Sequence, residues 1–285
     1  MDGSIRVDLH IHTLASDGTW TPAETVAAVR AAGLGLFAVT DHDSAASVAE
    51  TARLAAEAGL GFLAGVEIST TLAGHLFHII GYGIDPDNAA LTRILADNTA
   101  LMDEVDHDSI RKLVAAGLPV DYDEFCAYEY DPRRGGWKSL AYLIDKGLCT
   151  GVADFFADLF TAERDIVFPV FPHPEEAIAA IKTAGGVPVL AHPGSDFHGP
   201  ALEDTLNMFA AQAIEGVECF HLCHDAATAR RAVEWCDRHG LLITGGSDCH
   251  GGFVAGRRLG VPDIRLAQLR LGRLLAMSGS GGAGR

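Results

Sequence analysis

The 285-residue sequence has no run of apolar residues long enough to span a bilayer, and no basic segment followed by a long apolar core at its start. Neither a membrane helix nor a secretory leader is expected on that ground. Its six cysteines include no CxxC pair, which fits free thiols in a reducing compartment better than a disulfide framework. The cytoplasm is the expected location. Basic residues are scarce, with 21 Lys and Arg against 38 Asp and Glu for a formal charge of −17 at pH 7. Neutralising a polynucleotide needs a basic surface, so the balance excludes a non-specific nucleic-acid binder. It does not exclude a small phosphorylated substrate. Two or three divalent cations would dominate the field of a local site whatever the total charge. The 13 histidines, several of them just after apolar runs, point that way.

What is present is an alternation. "IRVDLHIH" reads as a strand and "TPAETVAAVRAAG" as a helix, with Thr21 as N-cap, Pro22 as first helical residue, Glu24 as capping-box partner and Gly33 as terminator. "GLFAVTDH" gives a second strand, "SAASVAETARLAAEAG" a second helix from Ser44 to Gly59, and "GFLAGVEIS" and "HLFHIIGYG" two more strands. From 86 to 164 only helical periodicity is found, as in "NAALTRILADNTALMDEVDHDSIRKLVAAG". The alternation then returns through "VPVLAHPG", "IEGVECF" and "LLITGGSDCH". Repeated βα units on either side of a helical stretch predict an α/β protein. Its parallel barrel is made of residues 1–85 and 165–270, with a helical insertion at 86–164. The tail 278–285, "SGSGGAGR", is expected to be disordered.

The predicted strands share a polar ending. In "VDLHIHTLASDG" the first strand delivers His10 and His12, with Asp17 in the loop beyond; alternation puts Asp8, His10 and His12 on one face and Val7, Leu9 and Ile11 on the other. The second strand ends in Thr40-Asp41-His42, the third at Glu67, and the fourth carries His75 and His78. Later ones end in His192 and in Asp248 and His250. One such residue is commonly a satisfied histidine or a capping aspartate. Imidazole or carboxylate at six strand ends that a barrel brings to one face is a metal-ligand set, suited to zinc, manganese or iron.

Taken in order, "HIH", "SDG", "TDHD", "GVEIS", "HIIGYGID", "AHPG" and "GSDCH" resemble the PHP family, the polymerase and histidinol phosphatase superfamily of metal-dependent phosphoesterases. The resemblance implies a distorted (β/α)7 barrel with two or three divalent ions (manganese, zinc or iron). On that pattern a first ion takes His10, His12, Glu67 and Asp248. A second shares Glu67 and adds His78 and His192. A third takes Asp17, His42 and His250. A hydroxide shared between metals would attack a phosphate ester, since bound ions lower the pKa of water, and Glu67 and Asp248 thereby belong to the catalytic set. His224 in "CFHLCHD" matches a histidine that relatives place near the substrate, ahead of His221 as general acid or phosphate contact. Asp41 and Asp43 would support ligands from behind.

Many relatives acting on nucleotide phosphates carry an Arg-x-His-Phe-Ala-Arg run over the site. Here "GGWKSLAYL" stands in its place, with Gly136 at the arginine and Lys138 at the histidine. Lys138, with Arg133 or Arg134, is therefore the expected substrate contact. Trp137 either stacks on a base or sugar or packs the insertion onto the barrel. The expected reaction is hydrolysis of a small phosphorylated sugar or nucleotide, as cyclic diester, monoester or both; a nucleotide 3′-phosphatase or histidinol-phosphate-type phosphomonoesterase is the alternative. An amidohydrolase would bridge two metals with a carbamylated lysine, but Lys112, Lys138, Lys146 and Lys182 all lie away from predicted strand ends. A non-catalytic metal-binding module is the remaining rival. The sequence sets no oligomeric state.

Overall fold

The structure is a computed structural model that describes residues 2–279. The six residues at the end of the expected disordered tail, 280–285, lie outside the described residues, whereas Ser278 is buried and its carbonyl accepts the Phe62 amide at 3.0 Å.

Strands β1 (Arg6–Asp8), β2 (Leu36–Val39) and β3 (Gly61–Leu72) are parallel, with α1 (Pro22–Ala31) and α2 (Val48–Ala58) as crossovers. Helix α1 starts where its capping box predicts: Thr21 Oγ1 accepts the Glu24 amide at 3.2 Å and Glu24 Oε2 accepts the Thr21 amide at 2.8 Å. Helix α2 starts four residues later than Ser44, at Val48, and its N-cap Ser47 makes no cap bond, its hydroxyl being donated to Asp41 at 2.5 Å. Strand β4 (His75–Tyr82) folds back as a hairpin partner of β3. Next come α3 (Ala89–Ala115), α4 (Tyr122–Ala127), α5 (Lys138–Asp145) and the short α6 (Val152–Asp154). The chain returns through α7 (Pro174–Thr183), β5 (Val187–Leu190), α8 (Leu202–Phe209), β6 (Gly216–Phe220), α9 (Ala226–His239), β7 (Leu242–Gly245), β8 (Ile264–Arg265) and α10 (Leu274–Met277).

The sheet runs β7-β6-β5-β4-β3-β2-β1-β8. Beyond β7 and β1 the two chains meet again: the Leu9 amide donates to Gly245 O at 3.1 Å and the His12 amide to Cys249 O at 2.9 Å. This closes seven strands into a barrel, as the sequence predicts, while β8 adds antiparallel to the outer part of β1. The expectation of a wholly parallel barrel is corrected at β4, which is antiparallel to both β3 and β5. An alternating apolar pattern is the same read in either direction, so strand polarity is absent from it.

A second correction concerns β1. Val7 and Leu9 pack inside the barrel with Leu36, Leu63, Ile80 and Val189, while Ile11 packs outside against Val26 and Val29. The alternation slips between Leu9 and Ile11, where the His10 amide is next to Asp8 Oδ1 (3.3 Å). Helix α3 belongs to two cores. Leu91, Ile94 and Leu95 are buried with barrel residues, and Ile110 and Leu113 with Phe125, Tyr142 and Phe155 of the helical segment.

Candidate active site

Every barrel strand from β1 to β7 sends a polar side chain to one end. The carboxylate of Glu67, on β3, is the centre and has no solvent exposure. Its Oε2 lies 3.1 Å from His10 Nε2, 3.3 Å from His12 Nε2 and 3.2 Å from His42 Nδ1. Its Oε1 lies 3.1 Å from His78 Nδ1 and 2.9 Å from His192 Nε2. Because β4 is reversed, His78 reaches this end from the first half of its strand, opposite Ser69. Asp248 Oδ1 is 3.0 Å from His12 Nε2, and its Oδ2 is 3.3 Å from His221 Nε2 and bonded to Arg257 Nη1. Asp17 Oδ2 faces His250 Nε2 at 3.3 Å. His192 and Asp248 both have positive φ, 24° and 54°, a conformation non-glycine residues adopt at a cost of about 1–3 kcal/mol. The fold holds these two donors in place against local preference.

The electrostatics follow from crowding charges out of water. Burial disfavours the anion at Glu67, but His10, His42 and His78 more than offset it and hold the carboxyl well below its usual range. Asp248 is depressed in the same way against burial, by His10, His12 and His221. Burial opposes a charge on His12, yet Asp248 and Glu67 lift it to about 10. Burial prevails at His42, lowered to about 3, and at His192, lowered to about 4. The site thus keeps its carboxylates ionised and His42 and His192 neutral, the forms that bind a cation. His10 and His12 are instead held toward the protonated form, so a cation taking them as ligands would displace their protons.

The residues present fit divalent metal ions. His12 Nδ1, His78 Nδ1 and Asp248 Oδ1 are buried without an aligned hydrogen-bond partner, a costly state unless a cation completes them. Donor atoms converge in overlapping groups: His12, Asp17, His42 and His250; His10, His12 and Glu67; His42, Glu67 and His78; His10, His221 and Asp248.

Behind the donors stand supporting partners, of which Glu218 and His198 are not singled out by the sequence while Asp41 and Asp43 are. Glu218 Oε1 is 3.0 Å from His10 Nδ1, and its Oε2 accepts the His192 amide at 3.0 Å. His198 stacks on His192 at 10°, with its Nε2 3.0 Å from His192 Nδ1 and its Nδ1 donating to Leu76 O at 2.7 Å. That last bond makes His198 Nε2 an acceptor, so His192 carries its proton on Nδ1 and turns a lone pair on Nε2 toward Glu67. Glu218 was visible as an acid inside "GVECF"; nothing in the sequence marked His198. Asp41 accepts from Thr13 Oγ1, Ser16 Oγ and Ser47 Oγ, fixing the loop that carries Asp17. Asp43 takes Ser69 Oγ at 2.7 Å. His75 is exposed, away from the cluster.

Four residues expected at the substrate are engaged with other parts of the chain and do not line the cavity. Arg133 is paired bidentately with Glu24 at 2.8 Å and Arg134 with Asp145 at 2.7 and 2.8 Å. Lys138 donates to Cys126 O at 3.2 Å and lies over the Phe125 ring. His224 has both ring nitrogens engaged by backbone, Nδ1 by Cys219 O and Nε2 by the Gly194 amide, each at 2.9 Å. The histidine that faces the cavity is His221, which burial opposes but Asp248 and Cys223 raise to about 10. Arg257, which the sequence did not flag, also lines the cavity.

That cavity, about 590 Å³, opens from the cluster toward the helical segment, and Trp137 lines it with its ring edge-on to Phe155 at 5.3 Å. Among the described residues no helix is long and apolar enough to cross a membrane.

Comparison with known proteins agrees with this architecture. The chain is 33% identical over 258 residues to a 3′,5′-nucleoside bisphosphate phosphatase of Chromobacterium violaceum, covering 90% of each chain. It is 29% identical to a 5′-3′ exoribonuclease of Haemophilus influenzae, over 90% of this chain and 96% of that one. It is 27% identical to a phosphoribosyl 1,2-cyclic phosphate 1,2-diphosphodiesterase of Eggerthella lenta, over 86% and 94%. A solved Bifidobacterium adolescentis structure described as a metal-dependent phosphoesterase superposes with a TM-score of 0.80 at 28% identity, over 95% and 96%. The PHP domain model matches residues 8–181. With that match, the closed seven-strand barrel and the donors gathered at its mouth, the chain belongs to the PHP family.

Proposed function

We propose that the chain hydrolyses a phosphate ester of a small organic molecule, a phosphorylated sugar or nucleotide, as monoester or cyclic diester, using divalent metal ions at the strand-end cluster. It is a hydrolase of phosphoric ester bonds. The observation that carries the reading is Glu67, a wholly buried carboxylate with imidazoles on both of its oxygens. A bridging carboxylate does what a carbamylated lysine does in amidohydrolases, and Lys112, Lys138, Lys146 and Lys182 all lie on or at the ends of helices.

His10, His12, Glu67 and Asp248 would hold one ion, Glu67, His78 and His192 a second, and Asp17, His42 and His250 a third; manganese, zinc and iron all accept such donors. Bound ions supply Lewis acidity toward the phosphoryl oxygens and an ionised water near neutral pH. The chain's own groups do the rest. Arg257 and His221, both paired with Asp248 Oδ2 and both lining the cavity, would meet the phosphoryl charge and supply a proton to the leaving oxygen. The acidic chain and a cavity of about 590 Å³ favour a small anion over a polynucleotide. Cysteines that are all free are consistent with the cytoplasm.

The test is phosphate release by manganese-loaded protein from a panel that pairs each monoester with its cyclic diester. His12→Ala and Glu67→Gln should each lower turnover by more than about a hundredfold, beyond what removal of an outer partner costs. Equal turnover in either variant, or amide hydrolysis in place of phosphate release, would overturn the assignment.

A further inference from the structure

Opposite the metal-binding end, the cavity is aromatic. Phe197, 47% exposed, has its ring 6.0 Å from that of His78 and edge-on to Phe168 at 5.7 Å. Phe156 continues the wall, 6.3 Å from Phe197 and 6.0 Å from Trp137. Phe253 completes it, occupying the space a side chain at Gly136 would need; a Cβ there would meet its ring at 2.7 Å. The wall begins beside a proposed metal ligand, so a phosphoryl group at the ions would place its organic part on these rings.

Beyond His221 at the metal-binding end, the described lining offers no free positive charge for a second anion. Among the described residues that line the cavity, Arg257 is the one Lys or Arg, and it is already against Asp248. Arg133, Arg134 and Lys138 are engaged with Glu24, Asp145 and Cys126 O. The outer lining adds Asp103, which is exposed, and Asp106. A second phosphate would lie against these carboxylates or on phenylalanine.

We propose that the substrate carries one phosphoryl group on an aromatic body, and that the site discriminates against bisphosphates. This rests on the phosphoesterase reading above. The experiment compares kcat/KM of the metal-loaded protein for 2-(1-naphthyl)ethyl phosphate and glycerol phosphate, both alkyl esters, and for a nucleoside 3′-monophosphate and its 3′,5′-bisphosphate. The naphthyl ester is expected to exceed glycerol phosphate by about tenfold, the worth of one to two aromatic contacts, and the bisphosphate to be the poorest aromatic substrate. Phe197→Ala should lower the naphthyl-to-glycerol ratio through KM, with far-UV circular dichroism checking the fold. Asp103→Lys, an exposed change, should improve the bisphosphate about threefold, the scale of a rim charge. A bisphosphate that matches its 3′-monophosphate, or a ratio unmoved by Phe197→Ala, would overturn this proposal while leaving the enzyme class standing. No release from any ester, with metal bound, would overturn both.

Discussion

His10 is fixed at both ring nitrogens, Nδ1 against Glu218 and Nε2 against Glu67 and His12. A carboxylate on the far nitrogen sets the tautomer and makes the near nitrogen a better donor. Glu218→Gln keeps the shape and loses the charge; titration with a competing chelating dye should show metal affinity falling about 10–100-fold. Unchanged affinity would make Glu218 a packing residue only. At this scale the sequence was readable where chemistry is short-ranged: a histidine at the end of an apolar strand has few places to go. It was unreadable for long side chains. Arg133 finds Glu24 from 109 residues away, a pairing that exists only once the helical segment has docked. His221 and His224 share one short stretch, and only the turn after β6 decides which ring meets the cavity and which is taken by backbone.

Among elements, the meeting of the run-on chains of β1 and β7 positions three proposed donors, His10, His12 and Asp248. Gly246 lets them approach: a Cβ there would stand 2.3 Å from His10 Cβ and 2.4 Å from its amide nitrogen. Gly246→Ala should therefore destabilise by about 1–3 kcal/mol, the range for overpacking a tight core, read as a lower urea midpoint, with weaker metal binding. An unchanged midpoint would show that the seam is loose. Caps and periodicity made the helices legible, α1 to the residue. The reversal of β4 and the slip at Leu9–His10 were not, since both depend on hydrogen bonds made across the sheet.

For the whole molecule, folding assembles donors that start from 240 residues of sequence, His10 to His250, so metal binding is folding free energy. Metal at a hundred times its dissociation constant should add about 2.7 kcal/mol. For a chain of this size that raises Tm by roughly 4–5 °C, reversed by chelation. A melting curve indifferent to bound metal would mean the donors also hold the ion in the unfolded chain.

Helix α3 draws a different boundary from the one at residue 86. In its first half, Asn98 Nδ2 donates to Asp43 Oδ1 at 2.7 Å and to Ser69 O at 2.9 Å, joining the loop after β2 and the middle of β3. Anyone grafting the helical segment of one relative onto another, to transplant its choice of substrate, should therefore leave α3 with the recipient. The exchange belongs beyond it, at the turn of Gly117, where the chain has left the barrel and a Cβ would meet nothing.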